Sequence, residues 1–318
     1  MRRIVVVGEL NMDIHLFGVA ESPGPAMLVA DHHLAEPGGK GANVARAAAR
    51  LGGEVALVGR VGSDEFGHDC VGAVAADGVD TSGVLTTPDT STGFVAIQLD
   101  DGRHRSLVFS PGANDLLTWD DVEPVVDRLD HGDLLIVQAE VPAATLTAVC
   151  EHAVARGCPV LLDPTPPGRV GREHLAAAEV ITPDLAEAAQ LTGRSGGSLL
   201  WPAFAARELV EAGARRVILK LGEPGALLAD ATGVVQIPTT SVRARDETGA
   251  GDVFLAALAV RRVKGAGWDE AVRFANAAAA ISVERMGLAL PGRAEVDEAA
   301  RLLVEPSRTV LPAVAAPG

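Results

Sequence analysis

The stretch Asp246-Glu247-Thr248-Gly249-Ala250-Gly251-Asp252 leads directly into the apolar segment Val253–Val260. It is a loop of small residues that opens a helix and ends in an acid. The free N–H groups and the positive dipole end of a helix's first turn bind anions, and glycine allows a phosphate to approach the backbone closely. A carboxylate at such a site is useful if it takes a proton from a nucleophile that attacks the bound phosphate. In isolation the pattern more often marks an ordinary helix start, in which Asp252 only favours the dipole.

Chain length and composition predict a soluble globular protein. The 318 residues suffice for one large α/β domain or two modest ones, and 48% of them are hydrophobic while 22% are charged. The net charge of −15 argues against nucleic acid as a partner, because a phosphate backbone needs a basic surface. The cysteines Cys70, Cys150 and Cys158 lack metal-ligand spacing and are typical of reduced thiols. Without a signal peptide or an apolar run of about 18 residues, we expect a cytoplasmic protein with no membrane partner.

Short apolar runs alternate along the chain with alanine-rich stretches of helical spacing. Runs without polar interruptions are typical of strands that are covered on both faces. Alternating strands and helices predict an α/β fold with a doubly wound, mainly parallel sheet flanked by helices. The predicted strands are Ile4–Val7, Val55–Val58, Leu134–Val137, Val160–Leu162, Val180–Ile181 and Val217–Leu219, and the clearest predicted helices are Ala42–Leu51, Ala144–Ala155 and Ala203–Ala212.

Polar residues follow most of these strands, at the sheet edge where doubly wound folds bind their ligands. Helix starts favour Asp and Asn in any case, so each position alone is weak evidence. Their recurrence at one edge predicts an active site there. The residues concerned are Asn11, Asp13, Glu140, Asp163, Asp184, Glu187 and the turn Gly222–Gly225.

Two segments do not fit the alternation of strands and helices. Residues 14–37 and about 90–110 contain strand-forming residues without helical partners. We expect them to form a small antiparallel sheet that projects from the same edge, either as a lid or as a plain surface hairpin. Residues 1–304 are then a single domain with this lid, and the Pro- and Ala-rich residues 305–318 are a loose tail.

A second glycine motif, Gly38-Gly39-Lys40-Gly41-Ala42-Asn43, opens the predicted helix Ala42–Leu51. It lacks the Ser or Thr that follows Gly-Lys in a P-loop, and Val7–Asn11 lacks the glycine pattern of a dinucleotide site, which disfavours a nicotinamide-dependent dehydrogenase. Lys40 could be a solvated loop charge and Asn43 a helix cap. Amides, carboxylates and backbone N–H groups also recognise polyhydroxy compounds, and this mixture is supplied by Asn11, Asp13, Gly39, Lys40, Asn43 and Glu140.

Together the two glycine motifs resemble the two signatures of the ribokinase-like, or PfkB, carbohydrate kinase family. The resemblance extends from Val5 to about Pro291. It is specific for the family and much less specific for the substrate. Further matching motifs are Asn11-x-Asp13, Ser91-Thr92-Gly93, Pro111-Gly112-Ala113-Asn114, Ile181-Thr182-Pro183-Asp184-x-x-Glu187, Leu221-Gly222-x-x-Gly225 and Phe274-Ala275-Asn276-Ala277-Ala278.

This resemblance implies ATP-dependent transfer of the γ-phosphate to a hydroxymethyl group of a small sugar. Asp252 would be the general base, and the N–H groups of Gly249, Ala250, Gly251 and Asp252 would form the anion hole. The lid, which often serves as a dimer interface in the family, implies a homodimer. The acceptor would be held by Asn11, Asp13, Gly39, Lys40, Asn43, Glu140 and Asp252.

The resemblance also implies sites for the nucleotide and for cations. The nucleotide would contact Asp184, Lys220, Gly222, Gly225, Gly251 and Asn276. Glu187 would organise Mg²⁺ through water, and a K⁺ site, mostly of backbone oxygens, would involve Asp246, Thr248, Ser282, Arg285 and Gly287. Two departures stand out: Asp184 replaces the usual Asn, and Pro291 has no side-chain oxygen where one often completes the K⁺ site. Asp246 could instead cap its turn by accepting nearby N–H groups.

The identity of the acceptor is less constrained than the reaction. Asn11-x-Asp13 and Gly39–Asn43 are most similar to the ribose-phosphorylating members, so ribose is the expected acceptor. A nucleoside kinase, for which a chain without Tyr and with 3% aromatics offers few stacking partners, remains open, as do a fructokinase and a sugar-phosphate kinase. A different class, a catalytically inactive sugar-binding or regulatory protein on the same scaffold, is opposed by the intact Asp252 and glycine loop.

Overall fold

Fifteen strands and ten α-helices make up the part of the chain that the computed structural model describes, namely residues 2–21, 27–100, 103–130, 132–196, 198 and 200–303. The predicted tail, 305–318, lies outside these residues, as do residues 22–26 and 101–102 of the predicted lid segments. The strands are β1 Ile4–Val7, β2 Asn11–Phe17, β3 Ala20–Glu21, β4 Leu28–Val29, β5 His32–Gly38, β6 Val55–Gly62, β7 Asp80–Thr87, β8 Gly93–Asp100, β9 Arg103–Ser110, β10 Leu134–Gln138, β11 Val160–Asp163, β12 Val180–Ile181, β13 Arg216–Gly222, β14 Gly225–Asp230 and β15 Gly233–Ile237. The helices are α1 Lys40–Arg50, α2 Glu65–Ala76, α3 Trp119–Val126, α4 Ala143–Arg156, α5 Arg172–Ala177, α6 Leu185–Thr192, α7 Trp201–Glu211, α8 Ala250–Val263, α9 Trp268–Val283 and α10 Arg293–Leu302.

Nine of the strands form one sheet in the order β15-β14-β13-β12-β11-β10-β1-β6-β7. The strands from β13 to β7 run parallel, and β14 and β15 add an antiparallel hairpin at one edge. Each predicted strand and each predicted helix is present. The prediction of a doubly wound, mainly parallel α/β sheet is therefore confirmed.

The central strands are apolar throughout because helices cover both faces of the sheet. Ile4 and Val6 of β1 pack with α1, α8 and α9 on one face, whereas Val5 and Val7 pack with α4 and α7 on the other. These four side chains are at most 2% exposed, and full burial of one such side chain contributes about 1.5–3 kcal/mol. No helix within the described ranges is both long and apolar enough to cross a bilayer.

Helices α1 and α8 pack side by side and begin at the same end of the sheet. The residue before α1, Gly39, has a φ of 89°, and the residue before α8, Gly249, has a φ of 71°. Both values lie in the left-handed region that favours glycine. The N–H of Ala42 donates to the carbonyl of Glu9 (3.1 Å), which ties the start of α1 to the loop after β1. The two helix N-termini therefore meet beside the carboxyl ends of the strands.

The predicted lid, called the lid from here on, is a separate sheet in the order β5-β2-β8-β9, and β3 and β4 form a further two-stranded sheet. It was expected to be antiparallel, and this is wrong for one pair, because β2 and β8 run parallel. The chain enters β2 directly from β1, so β2 begins at Asn11 rather than at residue 14. Asn11 and Asp13 thus belong to the lid's first strand and not to a loop after β1.

Candidate active site

Asp252 lies in the first turn of α8 and is 3% exposed. Its Oδ2 accepts a hydrogen bond from Nδ2 of Asn43 (2.9 Å), and its Oδ1 lies 3.6 Å from Nζ of Lys40. Burial raises the pKa of Asp252, although Lys40 and the Asn43 hydrogen bond oppose this shift. A carboxylate with a raised pKa that is held by one hydrogen bond and one nearby ammonium can accept a proton from a substrate hydroxyl.

Lys40, the first residue of α1, lies between two carboxylates. Its Nζ is 3.6 Å from Oδ1 of Asp252 and 3.8 Å from Oδ2 of Asp163, at the end of β11. Burial disfavours the ammonium, but Asp163, Asp252 and Glu140 outweigh this effect and raise the pKa of Lys40. Burial also disfavours the charge of Asp163 and so raises its pKa, but Lys40 and Lys220 outweigh this effect and lower the pKa of Asp163. Lys40 therefore stays charged and links the ends of α1, α8 and β11.

Asn11 is fully buried and held from both sides of its amide. Its Nδ2 donates to Oε1 of Glu9 (2.7 Å), and its Oδ1 accepts from Nδ2 of Asn114 (2.8 Å). Asn114 also accepts from the N–H of Leu10 and donates to its carbonyl, both at 3.1 Å. The Asn114 amide thus fixes the short connection between β1 and β2 and, through it, the position of Asn11.

Asp13 lies on the lid, opposite Glu36 of β5. Burial raises the pKa of Asp13 to about 7; His15 lowers it, while Glu9, Glu36 and Asp252 raise it further. His15 is 4% exposed and its Nε2 lies 3.2 Å from Oε1 of Glu36. Asp13, His15 and Glu36 therefore form a cluster of titratable groups on the lid, and Asp13 interacts electrostatically with Asp252.

Glu140 follows β10 and faces the same group of charges. Burial raises the pKa of its carboxyl, and Glu9 raises it further, while Lys40 lowers it. Its backbone carbonyl accepts from the Arg169 guanidinium (2.6 Å), which holds the loop in place. The structure thus brings Glu140 together with Lys40 and Asp252, as the sequence predicted, and adds Glu9 to them.

The predicted anion hole is the loop that precedes and opens α8. The N–H of Ala250 donates to the carbonyl of Glu247 (3.2 Å), so this amide is engaged in a turn. A side chain at Gly251 would lie 3.4 Å from Nζ of Lys220. The ammonium of Lys220 therefore stands over the start of α8, where positive charge adds to the helix dipole.

Asp184 and Glu187 form a reciprocal cap at the start of α6. The N–H of Glu187 donates to Oδ1 of Asp184 (2.8 Å), and the N–H of Asp184 donates to Oε2 of Glu187 (2.7 Å). The hydroxyl of Thr165 contacts both Oε1 of Glu187 and Oδ1 of Asp163. Both predicted residues thus have local structural partners, and Thr165 connects them to the cluster around Lys40.

The predicted nucleotide residues Gly222 and Gly225 flank the turn between β13 and β14. Both have positive φ, and a Cβ at Gly225 would lie 2.3 Å from the carbonyl of Ile237, whereas Gly222 faces open space. Asn276 on α9 is buried and donates to the carbonyl of Ile237 (2.9 Å). Gly225 and Asn276 therefore both support the end of β15, and the turn at Gly222 is the part open to a ligand.

Two of the predicted K⁺ residues donate backbone hydrogen bonds to Asp246. Oδ1 of Asp246 accepts from the N–H of Thr248 (2.9 Å) and Oδ2 from the N–H of Gly287 (2.8 Å). The carbonyl of Ser282 accepts from the N–H of Arg285 (3.2 Å). Asp246 thus caps the turn, which is the alternative role considered for it. Within the described ranges, no three His, Cys, Asp or Glu side chains converge as a metal site.

Sequence reasoning missed two of the buried residues at this site and left two others out of the site itself. Glu9 and Asn114 carry hydrogen bonds that position Asn11, yet neither was assigned a role. Asp163 was noticed only as a polar residue after a strand, and Thr165 was not considered. Glu9 also follows a predicted strand, so the rule that pointed to Asp163 would have found it.

Comparison with known proteins agrees with this geometry. Residues 1–294 match the model of the pfkB family of carbohydrate kinases. The ribokinase of Bacillus subtilis (strain 168) is 33% identical over 300 residues, which cover 94% of this chain and 99% of that protein.

Two solved structures extend the likeness to three dimensions. The structure of Arabidopsis thaliana ribokinase complexed with ribose and ATP has a TM-score of 0.84 and 29% identity, and covers 95% of this chain and 100% of the other. Phosphofructokinase-2 from Escherichia coli in complex with potassium has a TM-score of 0.77 and 26% identity, covering 95% and 99%. The chain therefore belongs to the pfkB family of carbohydrate kinases, which are phosphotransferases with an alcohol group as acceptor.

Proposed function

We propose that this protein is an ATP-dependent kinase that phosphorylates the hydroxymethyl group of a small sugar, with ribose as the acceptor. The observation that carries the proposal is Asp252, a buried carboxylate at the start of α8 that is held by Asn43 and Lys40. The identity of 33% to a ribokinase and the similarity to a ribokinase complexed with ribose and ATP support ribose.

In the proposed reaction, Asp252 takes the proton of the sugar hydroxyl as its oxygen attacks the γ-phosphorus. A bond from that oxygen to phosphorus forms, the bond to the bridging β–γ oxygen breaks, and ADP leaves with the electron pair. The N–H groups of Gly249, Gly251 and Asp252, together with the ammonium of Lys220, would stabilise the charge on the transferring group. Lys40 and Asn43 hold Asp252 in place, and the lid brings Asp13 to the acceptor.

The residues at the site fit a hard divalent cation. Oδ2 of Asp163 and Oδ1 of Asp252 are buried carboxylate oxygens without a hydrogen-bond donor, and Glu187 is joined to Asp163 through Thr165. We propose that Glu187 and Asp163 orient Mg²⁺, Glu187 through water. Bound there, Mg²⁺ would neutralise charge on the phosphates of ATP.

A monovalent cation, K⁺, is proposed at the loop of Asp246. The carbonyl of Val283 accepts from the N–H groups of Arg245 (2.7 Å) and Asp246 (3.2 Å), so this loop, which precedes α8, is tied to the end of α9. A cation held by carboxylate and carbonyl oxygens would fix the turn and so align the anion hole. The structural similarity to phosphofructokinase-2 in complex with potassium supports the proposal.

The K⁺ proposal is tested by turnover at saturating Mg²⁺-ATP and fixed ionic strength. K⁺ should raise kcat relative to tetramethylammonium, because the bulky ion cannot enter the loop, and Asp246→Asn should largely remove the difference. Equal rates in both salts would remove the cation from the mechanism.

We further propose a cytoplasmic homodimer that associates through the lid. The lid's edge strand β9 exposes the consecutive apolar residues Leu107, Val108 and Phe109 by 57%, 61% and 49%. Such an edge is typical of a surface that pairs with another chain. Light scattering should show a dimer for the wild type. It should show a monomer for Val108→Lys, because a charge then stands in the proposed interface.

A screen of ADP release tests the acceptor. Pentoses, hexoses, their phosphates and nucleosides are offered with Mg²⁺-ATP, and ribose should give the highest kcat/KM. If a nucleoside, fructose or fructose 6-phosphate is turned over in preference to ribose, the protein is still a kinase but ribose is not its acceptor. Release with none of these acceptors would favour a binding protein.

A further inference from the structure

Glu9 is a buried carboxyl group at the centre of the acceptor side of the site. It lies in the loop between β1 and β2 and is 5% exposed. Its Oε1 accepts from Nδ2 of Asn11 (2.7 Å), whereas its Oε2 is buried without a donor. A buried carboxylate oxygen without a partner is costly, and such atoms in native proteins are commonly completed by a ligand or water.

Glu140 is the neighbour that faces Glu9. The two carboxyl groups interact electrostatically, and Oε2 of Glu140 is also buried without a donor. The other charged groups that act on Glu9 are Lys40 and Asp252, and Asp13 interacts with it from the lid. Lys40 is therefore the one cation among these groups, and it is already placed between Asp163 and Asp252.

We propose that Glu9 is an acceptor-recognition residue that pairs with Glu140 to accept hydroxyl donors of an uncharged polyol and to exclude anionic acceptors. This inference rests on the proposed function and assigns its specificity. Hydroxyl groups are donors as well as acceptors, so an uncharged sugar can satisfy both orphaned oxygens. A phosphate or carboxylate offers no donor at neutral pH and would be repelled by Glu9, whose pKa of about 6 leaves it charged there.

The proposal therefore excludes one class of acceptor that the family resemblance left open. Sugar phosphates and sugar acids would place a second negative group beside Glu9, Glu140 and Asp13, opposite a lysine that is already paired. Discrimination of this kind comes from an unfavourable contact with the wrong ligand as well as a favourable one with the right ligand. Glu9 would thus determine the charge of the acceptor rather than the chemistry of transfer.

A purely structural role for Glu9 is the competing explanation. Its carboxyl lies next to the backbone N–H of Lys40, and its backbone carbonyl accepts from Ala42, so it could simply anchor the start of α1. An anchoring residue would affect the stability of the fold and the KM of both substrates together. A recognition residue would affect the KM of the acceptor alone.

The test compares the wild type with Glu9→Gln, Glu9→Asp and the exposed control Glu151→Gln on α4. For each, kcat and KM for ribose, KM for ATP, the inhibition constants of ribonate and fructose 6-phosphate, and Tm are measured. In Glu9→Gln the KM for ribose should rise about tenfold, with the KM for ATP and Tm near wild type. Both anions should inhibit Glu9→Gln more strongly than the wild type, because one carboxylate is gone.

Glu9→Asp separates charge from geometry. It keeps the negative group one methylene further back, so the KM for ribose should rise while both anions remain excluded. An unchanged KM for ribose in Glu9→Gln, or a rise in both KM values with a lower Tm, would overturn the inference. If Glu9→Gln does not fold, the inhibition of the wild-type enzyme by both anions is the test. This inhibition should be weak and should strengthen with added salt, because salt screens the repulsion between like charges.

Failure of this inference is distinguishable from failure of the proposed function. Turnover of ribose by the wild type, with no effect of Glu9→Gln, would leave a ribose kinase and remove only the role of Glu9. Turnover of fructose 6-phosphate in preference to ribose would contradict both the assignment of ribose and the proposed role of Glu9.

Discussion

The two glycine-rich helix starts look alike in sequence but use glycine for opposite reasons. At the start of α1, a Cβ on Gly41 would lie 2.6 Å from the carbonyl carbon of Gly8, and one on Gly39 would lie 2.7 Å from the backbone nitrogen of Asn11. At the start of α8, a Cβ on Gly251 would meet only the end of the Lys220 side chain, at 3.4 Å. In α1 glycine makes room for the protein's own backbone, whereas Gly251 of α8 leaves room for a ligand; Gly249, just before α8, makes room for the Leu288 side chain.

This difference assigns the two loops to different tasks. The α1 loop presses against the connection between β1 and β2 and so holds Glu9, Asn11 and Lys40, which lie on the proposed acceptor side. The α8 loop keeps an open, positive helix start beside Asp252, where we propose that the phosphate binds. A glycine motif therefore indicates close approach, and only the structure shows what approaches.

The largest expected effect is that of Gly41→Ala, which places a methyl group against backbone atoms that cannot move aside. We expect a loss of about 3 kcal/mol or more in the free energy of unfolding, or no folded protein. Gly251→Ala should leave this free energy within about 1 kcal/mol of wild type, since alanine favours a helix, while kcat/KM falls. Urea denaturation and steady-state kinetics check both, and equal destabilisation by the two changes would contradict the comparison.

The next expected effect concerns the acceptor side alone. Asp13→Ala removes a buried polar contact and should raise the KM for ribose about ten- to a hundredfold, or about 1–3 kcal/mol, with the KM for ATP nearly unchanged. Steady-state kinetics in both substrates measure this. A similar loss for both substrates would mean that Asp13 supports the lid structurally and does not bind the acceptor.

The smallest expected effect is a change of stability with pH. Burial raises the pKa of Asp13 to about 7 and that of Glu9 to about 6, from ordinary values of 3.8 and 4.5. The folded state therefore binds more protons than the unfolded state between about pH 4 and pH 7, so the free energy of unfolding should fall as pH rises through this window. The Asp13 contribution is about 2 kcal/mol, roughly half the full value for such a shift, because the protein relaxes and water enters when a buried carboxyl group ionises. In urea denaturation at several pH values, the free energy of unfolding of Asp13→Asn should fall less steeply with pH than that of the wild type. Parallel pH profiles for the two proteins would contradict this prediction.

The fold could be predicted because its signals are local. Uninterrupted apolar runs such as Ile4–Val7 mark strands covered on both faces, and alternation with helices fixes the parallel topology. The lid was harder, because the direction of β8 relative to β2 depends on how the chain returns after α2 and β7. The sequence of Gly93–Asp100 alone does not indicate the direction in which β8 runs.

The site could be predicted in part for the same reason. Asp252 and Lys40 stand in motifs, and the structure brings them within 3.6 Å of each other. Glu9 lies outside the matching motifs, and Asn114 ends the motif Pro111–Asn114 without a role being implied for it. The importance of both comes from contacts across the fold, such as the 2.8 Å bond from Asn114 to Asn11. The reciprocal cap of Asp184 and Glu187 shows that a motif residue can have a local structural task as well.

The central claim is that Asp252 is the base in phosphoryl transfer to a sugar, and Asp252→Asn tests it most directly. The measurement is kcat from ADP release with ribose, together with the ATP dissociation constant by calorimetry and ³¹P NMR of the product. We expect kcat to fall about 10²–10⁴-fold, ATP to bind near normally, and the wild-type product to carry phosphate on the hydroxymethyl oxygen. A variant that retains most of its turnover with normal KM values would contradict the role of Asp252.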